Sequence, residues 1–209
     1  SMRPHDARRH LVGLIFAVLL LGLAAPALAG EPTDFVKGQT AKVTDILSQP
    51  ESKKRAKKLD TILQATVDFR ELAARSLKGH WEERAPEEQE EFLRLLQEML
   101  EANYASKLSG QTLGEDYEIE YTEEKTRKNL AIVKTRIRAG EDIKPVEYKL
   151  MRREKGDWIV FDIVIDDISL EETYRESYTE IIKEEGWDSL IQRMKDKIKE
   201  LEAANAKKG

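Results

Sequence analysis

The sequence predicts an α+β fold in which several helices pack on one face of a curved, four-stranded antiparallel sheet and enclose an apolar cavity. Three observations support this prediction. Apolar residues recur at helical spacing from Phe35 to Leu108, the period changes to two from Tyr117 onward, and helical spacing returns after Ser169. Helices, then an antiparallel meander, then further helices are typical of α+β domains, in which the helices cover one face of the sheet.

The most apolar run outside the N-terminal segment is Trp158–Ile165, which follows the turn residues Gly156 and Asp157. Its β-branched and aromatic residues predict a strand covered on both faces. Alternation of side chains gives one face with Ile159, Phe161, Ile163 and Ile165, and another with Trp158, Val160, Asp162 and Val164. We expect the first face to be the inner one, with the second face, through Trp158, Val160 and Val164, as the alternative. Ser169 and Glu172 form a capping box that starts the next helix.

The first 29 residues are typical of a secretory signal peptide rather than of a membrane span. Three arginines precede an apolar run over residues 11–23, and residues 27–29 read Ala-Leu-Ala, an A-x-A cleavage site. We therefore expect export by the general secretory route, cleavage after Ala29, and a mature chain in the periplasm of a Gram-negative bacterium. Arg8 and Arg9 suggest the twin-arginine route as the alternative, although the flanking residues fit that motif poorly. Ser1 is interpreted as a cloning remnant.

Composition excludes several classes of protein. The whole chain has a formal net charge of −5. Loss of three arginines and one aspartate with the leader makes the charge about −7, which argues against nucleic-acid binding by bulk charge. The sequence contains no cysteine. Stability after export must therefore come from the core rather than from disulfides, and a lipid anchor on an N-terminal cysteine is excluded.

Residues 30–209 are predicted to form a single domain, mostly helical over 30–110, with the sheet over 115–166 and C-terminal helices over 169–205. Pro50 separates the first two helical stripes. Asp68 can cap a third helix, and Pro86 marks the first turn of a fourth and longest one. A basic run is interpreted as a solvated helix face, with a docking surface for an acidic partner as the alternative. It contains Lys53, Lys54, Arg55, Lys57 and Lys58.

Four strands are expected in the second half of the chain. Tyr117, Ile119 and Tyr121 alternate with acidic residues, and the runs 130–138 and 143–152 precede the apolar strand. Gly186 separates the two C-terminal helices. A buried core accounts for these apolar stripes when periodicity alone is considered, because a binding pocket requires more than apolar faces.

Beyond periodicity, the identity and order of many residues along the chain form a recognisable pattern. The series comprises Val67, Asp68, Phe69, Leu72, Ala73, Leu77, Trp81, Gln89, Phe92, Tyr104, Leu108, Val133, Lys134, Thr135, Val146, Glu147, Tyr148, Lys149, Leu150, Trp158, Phe161, Asp162, Asp166, Ser169, Leu170, Tyr174 and Arg175. In this order the residues resemble the pattern of the MlaC/toluene-tolerance family of periplasmic phospholipid carriers. The resemblance covers nearly the whole chain after the leader.

The resemblance implies a soluble carrier with a phospholipid as cargo, its acyl chains inside the protein, and no cofactor or metal. It also implies two partners, the MCE-domain protein of an inner-membrane ABC transporter and an outer-membrane lipoprotein/porin complex. Such a carrier would move lipid between the two membranes and serve the lipid asymmetry of the outer membrane. We expect a monomer that catalyses no reaction.

We predict that the lipid contacts come from the inner face of the sheet, the fourth helix and the helix after Ser169. The predicted contacts are Phe69, Phe92, Leu96, Leu100, Tyr104, Val133, Tyr148, Leu150, Phe161, Ile163, Tyr174 and Tyr178. Arg175 lies one turn into that last helix. It is interpreted as a structural salt bridge to Asp162 or Asp166, with a contact to the lipid phosphate as the alternative.

An enzyme and a chaperone are the alternative functions. Only His80 remains of the histidines after the leader, and the sequence has no Gly-rich phosphate loop or paired metal-ligand motif. Asp162 is interpreted as a structural acceptor, with a general base in an isomerase-like pocket as the alternative. Asp166 lies about 13 Å along the strand, too far to form a catalytic pair with it. A periplasmic chaperone would instead expose an apolar groove to its clients.

Overall fold

The computed structural model describes residues 30–108 and 117–207. The first helices are α1 (Glu31–Leu47), α2 (Lys53–Thr66), α3 (Phe69–Ser76) and α4 (Pro86–Leu108). The strands are β1 (Tyr117–Arg127), β2 (Leu130–Ala139), β3 (Asp142–Arg152), β4 (Trp158–Ile165) and β5 (Ile168–Ser169), followed by helices α5 (Leu170–Glu185) and α6 (Trp187–Ala206). The predicted signal peptide lies outside the described residues. None of the helices in the described part has the length and apolar character needed to cross a membrane.

The predicted caps set the starts of two helices. The side chain of Asp68 accepts a hydrogen bond from the backbone N–H of Glu71 at 3.0 Å, which confirms it as the cap of α3. The hydroxyl of Ser169 accepts one from the backbone N–H of Glu172 at 3.0 Å, as expected at the start of α5. Gly186 separates α5 from α6 with a φ of 91°, a backbone conformation that favours glycine.

The sheet is antiparallel, with the strand order β1-β2-β3-β4-β5. The four predicted strands are present, and β4 has the predicted bounds. The fifth strand corrects the predicted number of four, because β5 turns back and pairs with the end of β4. Asp166 and Asp167 form this turn with φ values of 49° and 64°, which aspartate tolerates better than most residues. A strand of two residues is too short to show a period in the sequence.

A β-bulge changes the faces of β4. Lys149 lies opposite Asp162 whereas Leu150 lies opposite Val160, so Phe161 is an extra residue in β4. One face of the strand therefore carries Trp158, Val160, Ile163 and Ile165. The prediction that Ile159 and Phe161 share a face with Ile163 is wrong. Strict alternation cannot reveal a bulge, because a bulge is defined by the register between two strands.

Most of the buried apolar residues form three clusters. The helical cluster joins α3, α4, α5 and α6 around Phe92 and Leu96. The sheet cluster joins α1 to the sheet around Val133 and Leu150. A third cluster, around Leu59, lies between α1 and α2. The sheet therefore does not share one continuous core with the helical bundle.

Candidate functional site

The face of the sheet that packs against α1, here called the inner face, is only partly covered. At the covered end, Val36 of α1 is 2% exposed, and Val133 and Leu150 are fully buried. Further along, the inner face carries large side chains that remain partly exposed, namely Tyr117, Ile119, Tyr121, Ile137, Tyr148 and Ile163. Ile165, at the end of β4, is 45% exposed. An apolar surface therefore remains open beside the covered part.

Four tyrosines meet over this open part. Burial raises the pKa of Tyr104, on α4, to about 12, and the neighbouring Tyr117 adds to the shift. Burial also raises the pKa of Tyr148, with further contributions from Tyr121, Tyr117 and Tyr104. The four phenols therefore share one poorly hydrated space. Tyr104 and Tyr148 nevertheless keep accessible surface. These side chains therefore border the open apolar surface rather than fill a sealed core.

Helix α1 fixes one side of this space. The hydroxyls of Thr40 and Tyr121 lie 2.7 Å apart, within hydrogen-bond distance. The ammonium group of Lys37 lies 5.0 Å from the centroid of the Tyr121 ring, within the range of a cation–π contact. Burial raises the pKa of Tyr121, and the bond to Thr40 partly lowers it. The ring of Tyr121 is therefore held at the boundary between α1 and the inner face.

A second pair of tyrosines lies on α5. The rings of Tyr174 and Tyr178 stack with centroids 5.2 Å apart and an interplanar angle of 3°. Phe92 meets Tyr178 edge-on at 5.7 Å. Burial raises the pKa of Tyr174 to about 12. Tyr174 is partly accessible, whereas the buried hydroxyl of Tyr178 has no hydrogen-bond partner among the described residues. The pair therefore runs from the helical cluster toward accessible space.

Comparison with known proteins identifies the family. The family model described as MlaC protein matches residues 37–196, which is most of the chain. The chain belongs to the MlaC family. The fold also matches a solved structure of the phospholipid-binding protein from Ralstonia solanacearum in complex with a phospholipid, with a TM-score of 0.72 and 18% sequence identity. The match covers 81% of this chain and 97% of that chain. Comparison with curated proteins gives no significant match.

In this MlaC-family chain, the predicted lipid contacts lie in different parts of the fold. Those in or against the helical cluster are Phe69, Phe92, Leu96, Leu100, Tyr174 and Tyr178. Those in or against the sheet cluster are Val133, Tyr148, Leu150 and Ile163. Tyr104 packs against the third cluster. Only part of the predicted set therefore borders the open inner face, and contact of any of these residues with a lipid stays a prediction.

Phe161 is displaced from the predicted set by the bulge in β4. The guanidinium of Arg75, on α3, lies 4.0 Å from the centroid of its ring, on the opposite side of the sheet from Tyr148. The set also omitted Tyr117 and Tyr121, whose phenols lie close enough to Tyr148 to affect its pKa. Alternation in β1 already places both tyrosines on the inner face. It carries no information about which part of that face remains uncovered.

Asp162 also lies on the face opposite the tyrosines, and its side chain is 1% exposed. Its carboxylate accepts hydrogen bonds from the hydroxyl of Ser169 at 2.6 Å and the backbone N–H of Glu171 at 3.0 Å. The ammonium group of Lys149 lies 3.6 Å away. These contacts confirm the interpretation of Asp162 as a structural acceptor, because its oxygens hold the start of α5 against β4.

Arg175 forms a structural salt bridge, but not with a predicted partner. Its guanidinium donates to the carboxylate of Glu171, one turn earlier in α5, at 3.0 Å. The prediction of Asp162 or Asp166 as the partner is wrong. Burial raises the pKa of Glu171, and the charge of Arg175 opposes that shift. The local i, i+4 contact therefore offsets part of the effect that burial has on the Glu171 carboxylate.

A polar cavity of about 260 Å³ lies between α2, α4 and α6. Its lining includes Asp60, Glu98, Glu101, Glu202 and Asn205. Burial and the charge of Glu101 raise the pKa of Asp60 to about 6. Acidic side chains make this cavity unsuitable for acyl chains. Within residues 30–108 and 117–207, no cluster of His, Cys, Asp or Glu has the arrangement of a metal site.

Proposed function

We propose that this chain is a periplasmic phospholipid carrier that holds acyl chains against the open part of the inner face. The observation that carries the proposal is the partly exposed apolar surface of the inner face beside Tyr104 and Tyr148. Membership of the MlaC family and the phospholipid in the Ralstonia solanacearum structure support it.

The energetics of lipid transfer explain why a carrier would be needed. Two acyl chains of about sixteen carbons contain roughly 30 methylenes, and exposure of each to water costs about 0.8 kcal/mol. The total is on the order of 25 kcal/mol, so the lipid does not cross an aqueous compartment unaided. Release from the carrier needs a partner for the same reason, because the acyl chains must pass directly from one apolar site to another.

The lining suits a phospholipid in two respects. Ile119, Ile137 and Ile163 offer apolar surface for acyl chains. The tyrosine rings add further apolar area, while their hydroxyls can bond to one another, to Thr40, or to the ester oxygens of a lipid. In contrast, the helical cluster is filled by its own side chains. We therefore place the cargo over the inner face rather than inside the bundle.

We further propose that the carrier moves lipid between an outer-membrane lipoprotein/porin complex and the MCE-domain protein of an inner-membrane ABC transporter. Of the predicted basic run, Lys53, Lys54 and Lys57 are exposed on α2, whereas Arg55 is 4% exposed and bonds to the carbonyl oxygen of Gln49 at 3.2 Å. The docking surface would therefore consist of the three lysines. Reversal of charge at Lys54 and Lys57 should slow lipid transfer to the reconstituted transporter, chiefly at low salt.

Native mass spectrometry of the freshly purified protein tests the carrier function. We expect an added mass that corresponds to one or more intact phospholipids, and delipidated protein should bind a fluorescent phospholipid. Failure of both would contradict the proposal. Conversion of the bound lipid into products would point to an enzyme, and binding of unfolded polypeptides without lipid would point to a chaperone.

A further inference from the structure

Glu124 of β1 makes an unusual contact with the start of α1. Its carboxylate accepts a hydrogen bond from the backbone N–H of Thr33 at 2.9 Å and another from the Thr33 hydroxyl. It thereby caps a helix whose own N-cap residue, Gly30, has no side chain. A Cβ atom added to Gly30 would lie 1.9 Å from Oε1 of Glu124. Glycine is therefore needed here for space, since its φ of −99° is open to any residue.

The backbone of β1 is arranged so that Glu124 can reach this point. Tyr121 lies opposite Thr135 whereas Glu123 lies opposite Lys134, so a bulge at Thr122 interrupts the alternation of the strand. The bulge leaves Glu123 on the outer face, where it pairs with Lys134 at 3.0 Å. It turns Glu124 to the inner face, toward α1. Without the bulge, the carboxylate next to Gly30 would point away from the helix.

Gly30 lies at the N-terminus of α1, where the helix dipole matters. The N-terminus of a helix carries a partial positive charge, so a cation placed there is unfavourable unless an anion compensates it. Signal-peptide cleavage after Ala29 would create such a cation. Hydrolysis of the Ala29–Gly30 bond by a leader peptidase consumes one water, leaves a carboxylate on the released leader, and leaves an amino group on Gly30. At neutral pH this amino group takes a proton.

We propose that Glu124 is the binding site for the α-ammonium group that forms on Gly30 when the leader is removed. The inference rests on the proposed export of the chain. In the uncleaved protein, the nitrogen of Gly30 is a neutral amide, so the ion pair exists only after processing. Because α1 is the helix that covers the inner face, processing would add an ion pair to the hydrogen bonds by which Glu124 already holds the start of this helix against β1.

Of the other two carboxylates near the start of α1, that of Glu31 is engaged elsewhere. The carboxylate of Glu31 lies 3.6 Å from the guanidinium of Arg152 and accepts a hydrogen bond from the indole N–H of Trp158 at 3.2 Å. Asp34 is exposed on the first turn of the helix. Glu124 is thus the carboxylate in contact with Gly30 itself.

The experiment uses the full chain, expressed with its leader in a Gram-negative host. Intact-mass analysis of the processed protein should give Gly30 as the first residue. The pKa of its α-amino group is then obtained from the rate of amine acylation at several pH values. We expect this pKa to be about one unit higher in wild type than in Glu124→Gln, which corresponds to roughly tenfold slower acylation near neutral pH. Glu120→Gln, on the same strand, is the matched control and should behave as wild type.

Two results would overturn the inference. One is a first residue other than Gly30. The other is equal acylation of wild type and Glu124→Gln when both begin at Gly30. Gly30→Ala provides a second test if Glu124→Gln fails to fold, because the added Cβ would displace the carboxylate and should raise the acylation rate to the same degree. Native mass spectrometry of these samples reports bound lipid independently, so failure of this inference and failure of the carrier function are distinguishable.

Discussion

The helical bundle and the inner face of the sheet are built from similar large apolar residues, but only the bundle is sealed. In the bundle, Phe92 is fully buried, with the rings of Trp81, Tyr178 and Trp187 at 6.5, 5.7 and 5.8 Å from it. On the inner face, Tyr148 is also crowded by protein but keeps accessible surface. Apolar composition therefore does not separate a core from a binding surface. What separates them is whether the neighbouring helices cover the apolar side chains completely.

The difference follows from the helices that supply the cover. α4, α5 and α6 pack against one another and fill the bundle with their own side chains. The inner face has α1 over one end, and Tyr104 of α4 lies close enough to Tyr117, on the rest of the face, for Tyr117 to affect its pKa. We infer that the bundle stabilises the fold without cargo, whereas the inner face gains much of its apolar contact from the lipid. The following variants test this division.

Truncation of the bundle should have the largest effect on stability. Phe92→Ala removes a fully buried ring and leaves a cavity among three other aromatic rings, so we expect a loss of about 3–5 kcal/mol in the free energy of unfolding. Urea denaturation measures this loss. Leu130→Ala is the control, since Leu130 is 44% exposed and its truncation should change stability by no more than about 0.5 kcal/mol. A loss below about 1 kcal/mol for Phe92→Ala would contradict a sealed bundle.

A charge on the inner face should act on lipid binding more than on stability. Ile137 lies on the inner face and is partly buried, so Ile137→Asp would place a carboxylate against the acyl chains. We expect at least about tenfold weaker binding of a fluorescent phospholipid, equivalent to about 1.4 kcal/mol. Ile143→Asp is the matched control, because Ile143 is 50% exposed on the opposite face of the same hairpin. Equal binding by the two variants would mean that the lipid lies elsewhere.

The sequence allowed much of this fold to be predicted, but not the division between the two regions. Periodicity and local caps were sufficient for the bounds of β4 and for the starts of α3 and α5, because these signals act within a few residues. The bulge at Phe161 depends on the register with β3, so alternation assigned Phe161 to the wrong face. Apolar stripes likewise predicted that Phe92 and Tyr148 are buried. They could not show that only Phe92 is sealed, because that depends on which helices meet.

The tyrosines of the open space should make the free energy of unfolding depend on pH, with an effect of intermediate size. Burial raises the pKa of Tyr104 from 10.0 to about 12, so the folded state holds the phenol proton more tightly than the unfolded state. Its contribution to stability is therefore complete below about pH 10 and is lost as the pH rises toward 12. We expect the decline in stability over this range to be shallower in Tyr104→Phe than in wild type. Denaturant titrations at several pH values test this, and identical declines would show that Tyr104 is well hydrated.

Bound lipid should raise the pKa values of the tyrosines in the open space further. A lipid over the inner face would exclude water from the space next to Tyr104 and Tyr148, and further desolvation would raise both pKa values. Phenolate absorbance should therefore appear at higher pH in lipid-loaded protein than in delipidated protein. Tyr178→Phe serves as the control, because Tyr178 is buried in the bundle and its loss should leave the lipid-dependent change in phenolate absorbance unchanged.

The smallest effect is expected at Arg175, whose side chain belongs neither to the helical cluster nor to the inner face. Its side chain is 37% exposed and pairs with Glu171 within one helix, so Arg175→Ala should lower stability by no more than about 1 kcal/mol. Arg193→Ala is the control, because it breaks an exposed pair between Arg193 on α6 and Glu185 at the end of α5. Because the guanidinium of Arg175 is already engaged, we expect unchanged selectivity between anionic and zwitterionic phospholipids in a competition assay. Weaker binding of anionic lipid by Arg175→Ala alone, with normal stability, would instead assign Arg175 to the headgroup and extend the lipid site to α5.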